Sequence, residues 1–207
     1  AGPRHMRVAV ATVQVPFILG GAELQVRGLC QALLAAGHEV ELVTMPFRFG
    51  PRSAVRAAMD GWAAQDFERF DCGAIDRVIA LRFPAIYLQH PRKVVWLMHQ
   101  HRSVYELFGT PFGEDPENPE TAAFRDEITA RDTEALGAAC AVFTTSQEVS
   151  RRLHRYNGIE SMPLLHPPAM AGRLSPGEAY SYIFCPSRLE TLKRQELLVR
   201  AMALVKT

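Results

Sequence analysis

Three short sets of residues in this chain combine side-chain types and spacings that could do chemistry. One is Ser187-Arg188-Leu189-Glu190-Thr191-Leu192-Lys193-Arg194, set directly after the apolar run Tyr182-Ile183-Phe184-Cys185-Pro186. Lysine occurs only as Lys93, Lys193 and Lys206 in an arginine-rich chain, so Lys193 placed shortly after Arg188 is not compositional noise. Two fixed cations at a strand-to-helix junction suit a polyanion such as a diphosphate. Arg offers a fork of donors, Lys a point charge, and the helix start free N–H groups. The same octet also fits a solvated basic turn that begins a surface helix.

Another set, Gly20-Gly21-Ala22-Glu23, opens the first predicted helix. Residues without Cβ let a ligand come close to the backbone there and expose N–H groups to an anion; the alternative is a loop that needs only glycine's flexibility. His99-Gln100-His101-Arg102 follows Val94-Val95-Trp96-Leu97-Met98, which puts these polar side chains at the carboxyl end of a strand, where open α/β sheets bind ligands. Metal fits them poorly, because alternate strand residues point to opposite faces and no nearby Asp or Cys completes a set. A histidine satisfied by backbone partners is the plain alternative. Glu23, Asp132 and Glu148 could act as general acids or bases, but each lies on a predicted helix, where carboxylates are routine. No Gly-x-Ser-x-Gly elbow, Walker loop or zinc-type spacing occurs.

The elements that must hold these sets follow from hydrophobic periodicity. Residues 7–13 form a β-branched run; after a loop through Pro16, Val26, Leu29, Cys30, Leu33 and Leu34 fall on one helical face that should end at Gly37. Residues 39–44 then read as a second strand, which makes a right-handed parallel strand-helix-strand unit. Further strands are expected at 77–81, 93–98 and 141–145. A helix over 121–136 should turn Phe124, Ile128, Ala135 and Leu136 inward, and another should start at an N-cap on Ser146 and stop at Asn157-Gly158. The acidic, proline-rich stretch 109–120 reads as a mobile, solvated loop. Strands alternating with helices predict an α/β fold, a Rossmann-like doubly wound parallel sheet.

The chain has 207 residues, 48% hydrophobic and 22% charged, enough for one core plus part of another. A net charge of +1 gives no bulk electrostatic case for nucleic acid or a membrane surface. Residues 1–6 have the composition of a cloning scar, residues 7–167 read as the first domain, and 168–180 as a Pro/Gly/Ala/Ser linker. Residues 181–207 read as a strand at 182–185 and a helix over about 192–205, the first β-α unit of an incomplete second domain. Cys30, Cys72, Cys140 and Cys185 show no Cys-x-x-Cys pairing and are expected to be reduced, buried thiols of a cytoplasmic protein. An NAD site is disfavoured: a six-residue loop separates the first strand from Gly20, and Thr44-Met45 stands where a ribose-binding acid should be.

In this order the strand, long loop, Gly-Gly-Ala-Glu helix, histidine at a central strand end, linker and Ser-Arg-Leu-Glu-x-x-Lys-Arg segment resemble a retaining glycosyltransferase of the GT-B fold, family 4. Trp96-Leu97-Met98-His99-Gln100-His101-Arg102 and Ser187 through Gln195 carry the resemblance, which spans residues 6–207. It implies the N-terminal half of a GT-B fold on the acceptor side and the beginning of a donor-binding domain. Transfer from a nucleotide-sugar donor to a glycan, lipid or small-molecule acceptor is implied, with retention and with neither metal nor other cofactor. Carried over by position, Arg188 and Lys193 would grip the donor diphosphate and His99 would hydrogen-bond the donor sugar, these three forming the catalytic set. Gly20, Gly21, Glu23, His101 and Arg102 would line the donor and acceptor sites. The family's Glu-x7-Glu motif would lie beyond Thr207, so the 207-residue chain alone is expected to be inactive.

No apolar stretch approaches the roughly 20 residues needed to span a bilayer, and peripheral membrane contact is compatible with the composition though nothing in it calls for such contact. The apolar residues of 182–207 would dock on the first domain or pair with another copy. The reading from a different class is a non-catalytic nucleotide-binding or interaction module, which would bind a nucleoside diphosphate by itself.

Overall fold

The computed structural model describes residues 5–71, 73–168 and 170–205, and the chain divides into two compact units, Ala1–Ala169 and Met170–Thr207. The first unit runs β1 (Arg7–Gln14), α1 (Gly21–Ala35), β2 (Glu39–Pro46), α2 (Arg52–Ala63), β3 (Arg69–Phe70), β4 (Gly73–Ala74), β5 (Arg77–Ala80), β6 (Lys93–Leu97), α3 (Pro119–Gly137), β7 (Ala141–Thr144), α4 (Gln147–Asn157) and β8 (Met162–Pro163). β3 and β4 form a small antiparallel pair. The other six strands make one sheet in the order β2-β1-β5-β6-β7-β8, every pairing parallel. This is a Rossmann-like, doubly wound α/β sheet. Its strand order reverses between β1 and β5, the switch point beside which such sheets open a crevice at their carboxyl ends.

The period-2 alternation of the strands divides the core between two faces. Ala9, Ala11 and Val13 of β1, with Val78, Val95 and Val142, lie against Trp62 of α2, Phe124 and Ile128 of α3, and Leu153 of α4. Full burial of a side chain such as Phe124 or Ile128 stabilises by about 1.5–3 kcal/mol. On the opposite face Val10, Leu81 and Trp96 meet Val26 of α1. Helix ends follow local chemistry. Ser146 caps α4 by accepting from the Val149 N–H at 3.2 Å, and Gly158 ends it at φ 65°; Asn118 caps α3 by accepting from the Glu120 N–H.

Loop 109–120 departs from the solvated excursion expected of it. The Gly109 N–H donates to the Glu114 carbonyl at 2.9 Å, the Glu114 N–H donates to the Ser103 carbonyl at 3.0 Å, and the Glu114 carboxylate pairs with Arg52 at 2.8 Å. The acids that read as solvating are in part anchors to α2. Cysteine burial is also corrected. Cys140 and Cys185 are exposed and Cys30 is half-buried, while Cys72 lies outside the described residues. Cys140 sits at the α3–β7 turn.

The second unit contains short 3₁₀ turns at Ala171–Arg173 and Thr191–Lys193 and one helix, α5 (Gln195–Met202). Residues 182–185 do not form the expected strand, because a strand exists only through its ladder and no described segment of this unit pairs with them. The helix begins at Gln195 rather than near Leu192, since Arg194 takes a left-handed conformation at φ 53° and interrupts it. Ile183, Phe184, Leu189 and Leu204 are exposed. No described helix is long and apolar enough to cross a membrane.

Candidate functional site

At the carboxyl ends of β1, β5 and β6, Gly20, Glu23 and His99 are brought together around Arg82, whereas His101, Asp132 and Glu148 lie elsewhere. At the start of α1, Gly20 is extended, with φ −154° and ψ −162°. Its N–H donates to Glu23 Oε2 at 2.8 Å, while Glu23 Oε1 accepts from Arg82 Nη1 at 3.1 Å. Both carboxylate oxygens of Glu23 are therefore engaged, one fixing the glycine turn and the other holding an arginine. A Cβ on Gly21 would meet nothing within 4 Å, and one on Gly20 would meet only Glu23 Oε2 at 3.6 Å. Neither backbone conformation nor crowding by protein atoms demands glycine at these two positions. Beside them a cavity of about 420 Å³ opens along α1, lined by Leu19, Glu23, Val26, Thr44 and Arg82 among others.

At the end of β6, His99 is half-buried and its Nδ1 lies 2.7 Å from the Gln100 carbonyl oxygen. A carbonyl can only accept, so Nδ1 carries the hydrogen and the neutral ring keeps Nε2 as an acceptor. Burial is the main reason its pKa sits below the usual imidazole range; the carbonyl bond opposes the shift, and the nearby Arg82 and Arg102 reinforce it. His99 is consequently neutral near pH 7. His101, two residues on, has different surroundings. It is 4% exposed, stacks on Phe83 with ring centroids 4.7 Å apart, and has Phe47 and Phe49 as further ring neighbours. Burial, with His99 nearby, pushes its pKa down to about 4. These are the surroundings of a core ring rather than of a ligand contact.

Arg102 donates to Glu106 Oε1 at 2.5 Å, and Arg152 of α4 donates to the same oxygen at 3.0 Å. Glu148 pairs with Arg152 and Arg151 on the surface of α4. Asp132 is only 1% exposed, far from the solvated helix carboxylate that its position suggested. It accepts from Tyr87 at 2.5 Å and from Tyr105 at 2.8 Å.

Arg188 and Lys193 lie in the second unit, both exposed. Arg188 pairs with Glu190 at 3.0 Å, Lys193 ends the 3₁₀ turn, and the Gln195 carboxamide donates to Ser187 Oγ at 2.7 Å and to the Arg188 carbonyl. The octet is thus a folded turn organised around Gln195.

The first-unit arrangement offers a neutral histidine acceptor, cationic Arg82 and Arg102, and a glycine helix start with open space beside Gly21. Its carboxylates, Glu23 and Glu106, are each engaged by arginine. Such a set can bind a polar, partly anionic ligand, and it contains no activated nucleophile. Arg82, Glu106 and Arg152 are the site residues that sequence reasoning missed. For Arg82 a signal existed, since an arginine directly after the buried run Val78-Ile79-Ala80-Leu81 falls at a strand's carboxyl end. Among the described residues no three His, Cys, Asp or Glu side chains are grouped closely enough to hold a metal ion. No family model matches the chain, and no curated protein is significantly similar to it.

Proposed function

We propose that this chain is the acceptor-side half, with the beginning of the donor-side half, of a retaining glycosyltransferase that moves a sugar from a nucleotide-sugar donor to a hydroxyl-bearing acceptor. The observation that carries the reading is His99, held neutral with Nδ1 committed to the Gln100 carbonyl and flanked by Arg82 and Arg102 at the sheet's carboxyl end. A neutral imidazole acceptor beside cations suits a ligand that brings hydroxyl hydrogens and phosphate charge together, as a sugar nucleotide does. The engaged state of Glu23 and Glu106 also fits. In such a transfer the leaving phosphate can take the acceptor proton, so no free carboxylate pair is needed on this side. In this reading Arg188 and Lys193 would hold the diphosphate, stabilising charge as the glycosidic bond breaks.

The test is to assay the gene's full product with a panel of sugar nucleotides, following nucleoside diphosphate release and the anomeric configuration of any product. Release with retention is expected, slowed roughly 10–100-fold by His99→Ala, the equivalent of one or two lost hydrogen bonds. Absence of release across the panel, or unchanged turnover in Arg188→Ala, would remove the assignment.

A further inference from the structure

Beneath the His99 turn runs a buried polar chain that crosses four segments of the first unit. Gln100, 2% exposed, donates from Nε2 to Asn157 Oδ1 at 2.8 Å. Asn157, the last residue of α4, donates from Nδ2 to Thr133 Oγ1 at 2.8 Å and to Tyr105 Oη at 3.3 Å. Tyr105 passes its own hydrogen to Asp132 Oδ2, and Tyr87 donates to Asp132 Oδ1. The path Gln100, Asn157, Tyr105, Asp132 runs donor to acceptor in one direction, and the Asp132 carboxyl group accepts from both tyrosine hydroxyls, while Thr133 passes its hydrogen to the Thr129 carbonyl. Arg131, whose guanidinium carbon lies 5.1 Å from the Tyr87 ring centroid, is the nearby cation.

The position of this chain gives it more than a packing role. The residue it anchors, Gln100, is the one whose backbone carbonyl takes the His99 Nδ1 hydrogen. A peptide whose side chain is locked cannot easily rotate its carbonyl, and that carbonyl sets which nitrogen of His99 is left to face a ligand. We infer that Gln100 and Asn157 are positioning residues, which fix the tautomer and ring orientation of His99 through the buried chain ending at Asp132. The inference rests on His99 belonging to the site. It concerns a property of the protein alone, so it can fail while the proposed transfer stands, and the reverse.

The test is a two-bond ¹H–¹⁵N spectrum of the histidine rings with no ligand added. His90 is an internal reference of the opposite kind. Its Nε2 lies 3.1 Å from the Ile75 carbonyl and its Nδ1 accepts from the Arg92 N–H, so it must be the Nε2–H form. In the unaltered chain His99 should show a single Nδ1–H form. In Gln100→Met, which keeps the volume and removes the carboxamide, both tautomers of His99 should appear, with the His90 tautomer unchanged. Asn157→Leu, which leaves Gln100 in place, should do the same, and it serves if the first variant does not fold. A second readout needs no substitution: the Gln100 carboxamide hydrogens should be protected from solvent exchange. A His99 that stays in one tautomer in a folded variant, or a Gln100 carboxamide that exchanges at the solvent rate, overturns the inference.

Discussion

The two glycines that open α1 hold different meanings from the one inside the loop that follows β6. Gly21 begins a helix with open space where a Cβ would go, so Gly21→Ala should raise stability by about 0.4–1 kcal/mol by restricting the unfolded chain. The same methyl would occupy the volume that a ligand backbone-contact needs. Affinity for a nucleoside diphosphate or its sugar conjugate should fall although the protein melts higher, and calorimetry alongside thermal unfolding would read the two effects. A fall in both, or a rise in both, would mean that Gly21 serves the helix alone. Glu23 carries a related lesson, since its type and place suggested ligand contact while both of its oxygens are spent on Gly20 and Arg82. Sequence can show a carboxylate at a helix start but not which neighbour has already claimed it.

Among the elements, those defined by their own periodicity were legible and those defined by partners were not. The five main strands and the helices α1, α3 and α4 fall within a few residues of where alternation, caps and glycines put them, because each such signal is local. Residues 182–185 have the same apolar character as β6 yet form no strand, since pairing is not written in the segment itself. Asp132 shows the opposite error. Phe124, Ile128 and Leu136 were read as the inner face of α3, and Asp132 lies on the same four-residue spacing, so its burial was available to the pattern. The loop before α3 supplies the sharpest test at this scale. A Cβ at Gly113 would lie 2.0 Å from the Leu107 carbonyl oxygen, a backbone atom that cannot swing aside. Gly113→Ala should therefore destabilise by about 1–3 kcal/mol, the usual range for overpacking, and loosen the Glu114–Arg52 tie. Denaturant unfolding gives the first quantity; a variant as stable as the parent would contradict the loop's geometry.

For the molecule as a whole, two buried groups pull its acid response in opposite directions. His101 has a folded pKa of about 4 against 6.5 when exposed, so the unfolded chain takes up its proton first and stability falls as pH drops from about 6.5 to about 4. Asp132 is raised from 3.8 to about 7, chiefly by burial, so the folded state binds the extra proton and stability rises as pH drops through nearly the same window. Each contribution is on the order of 3–4 kcal/mol at full extent, and they largely cancel. Urea midpoints followed from pH 7 to 4 should fall in Asp132→Asn, rise in His101→Phe, and change less in the parent chain than in either. Parallel profiles for the two variants would refute the opposition. Leu164 is gripped from both sides, its N–H by the Thr144 carbonyl at 2.7 Å and its carbonyl by the Trp96 indole at 2.8 Å. A tension applied to the polypeptide beyond Met170 would be delivered to the middle of the sheet through this one residue, so in a pulling experiment Trp96→Phe should lower the force at which β8 peels away.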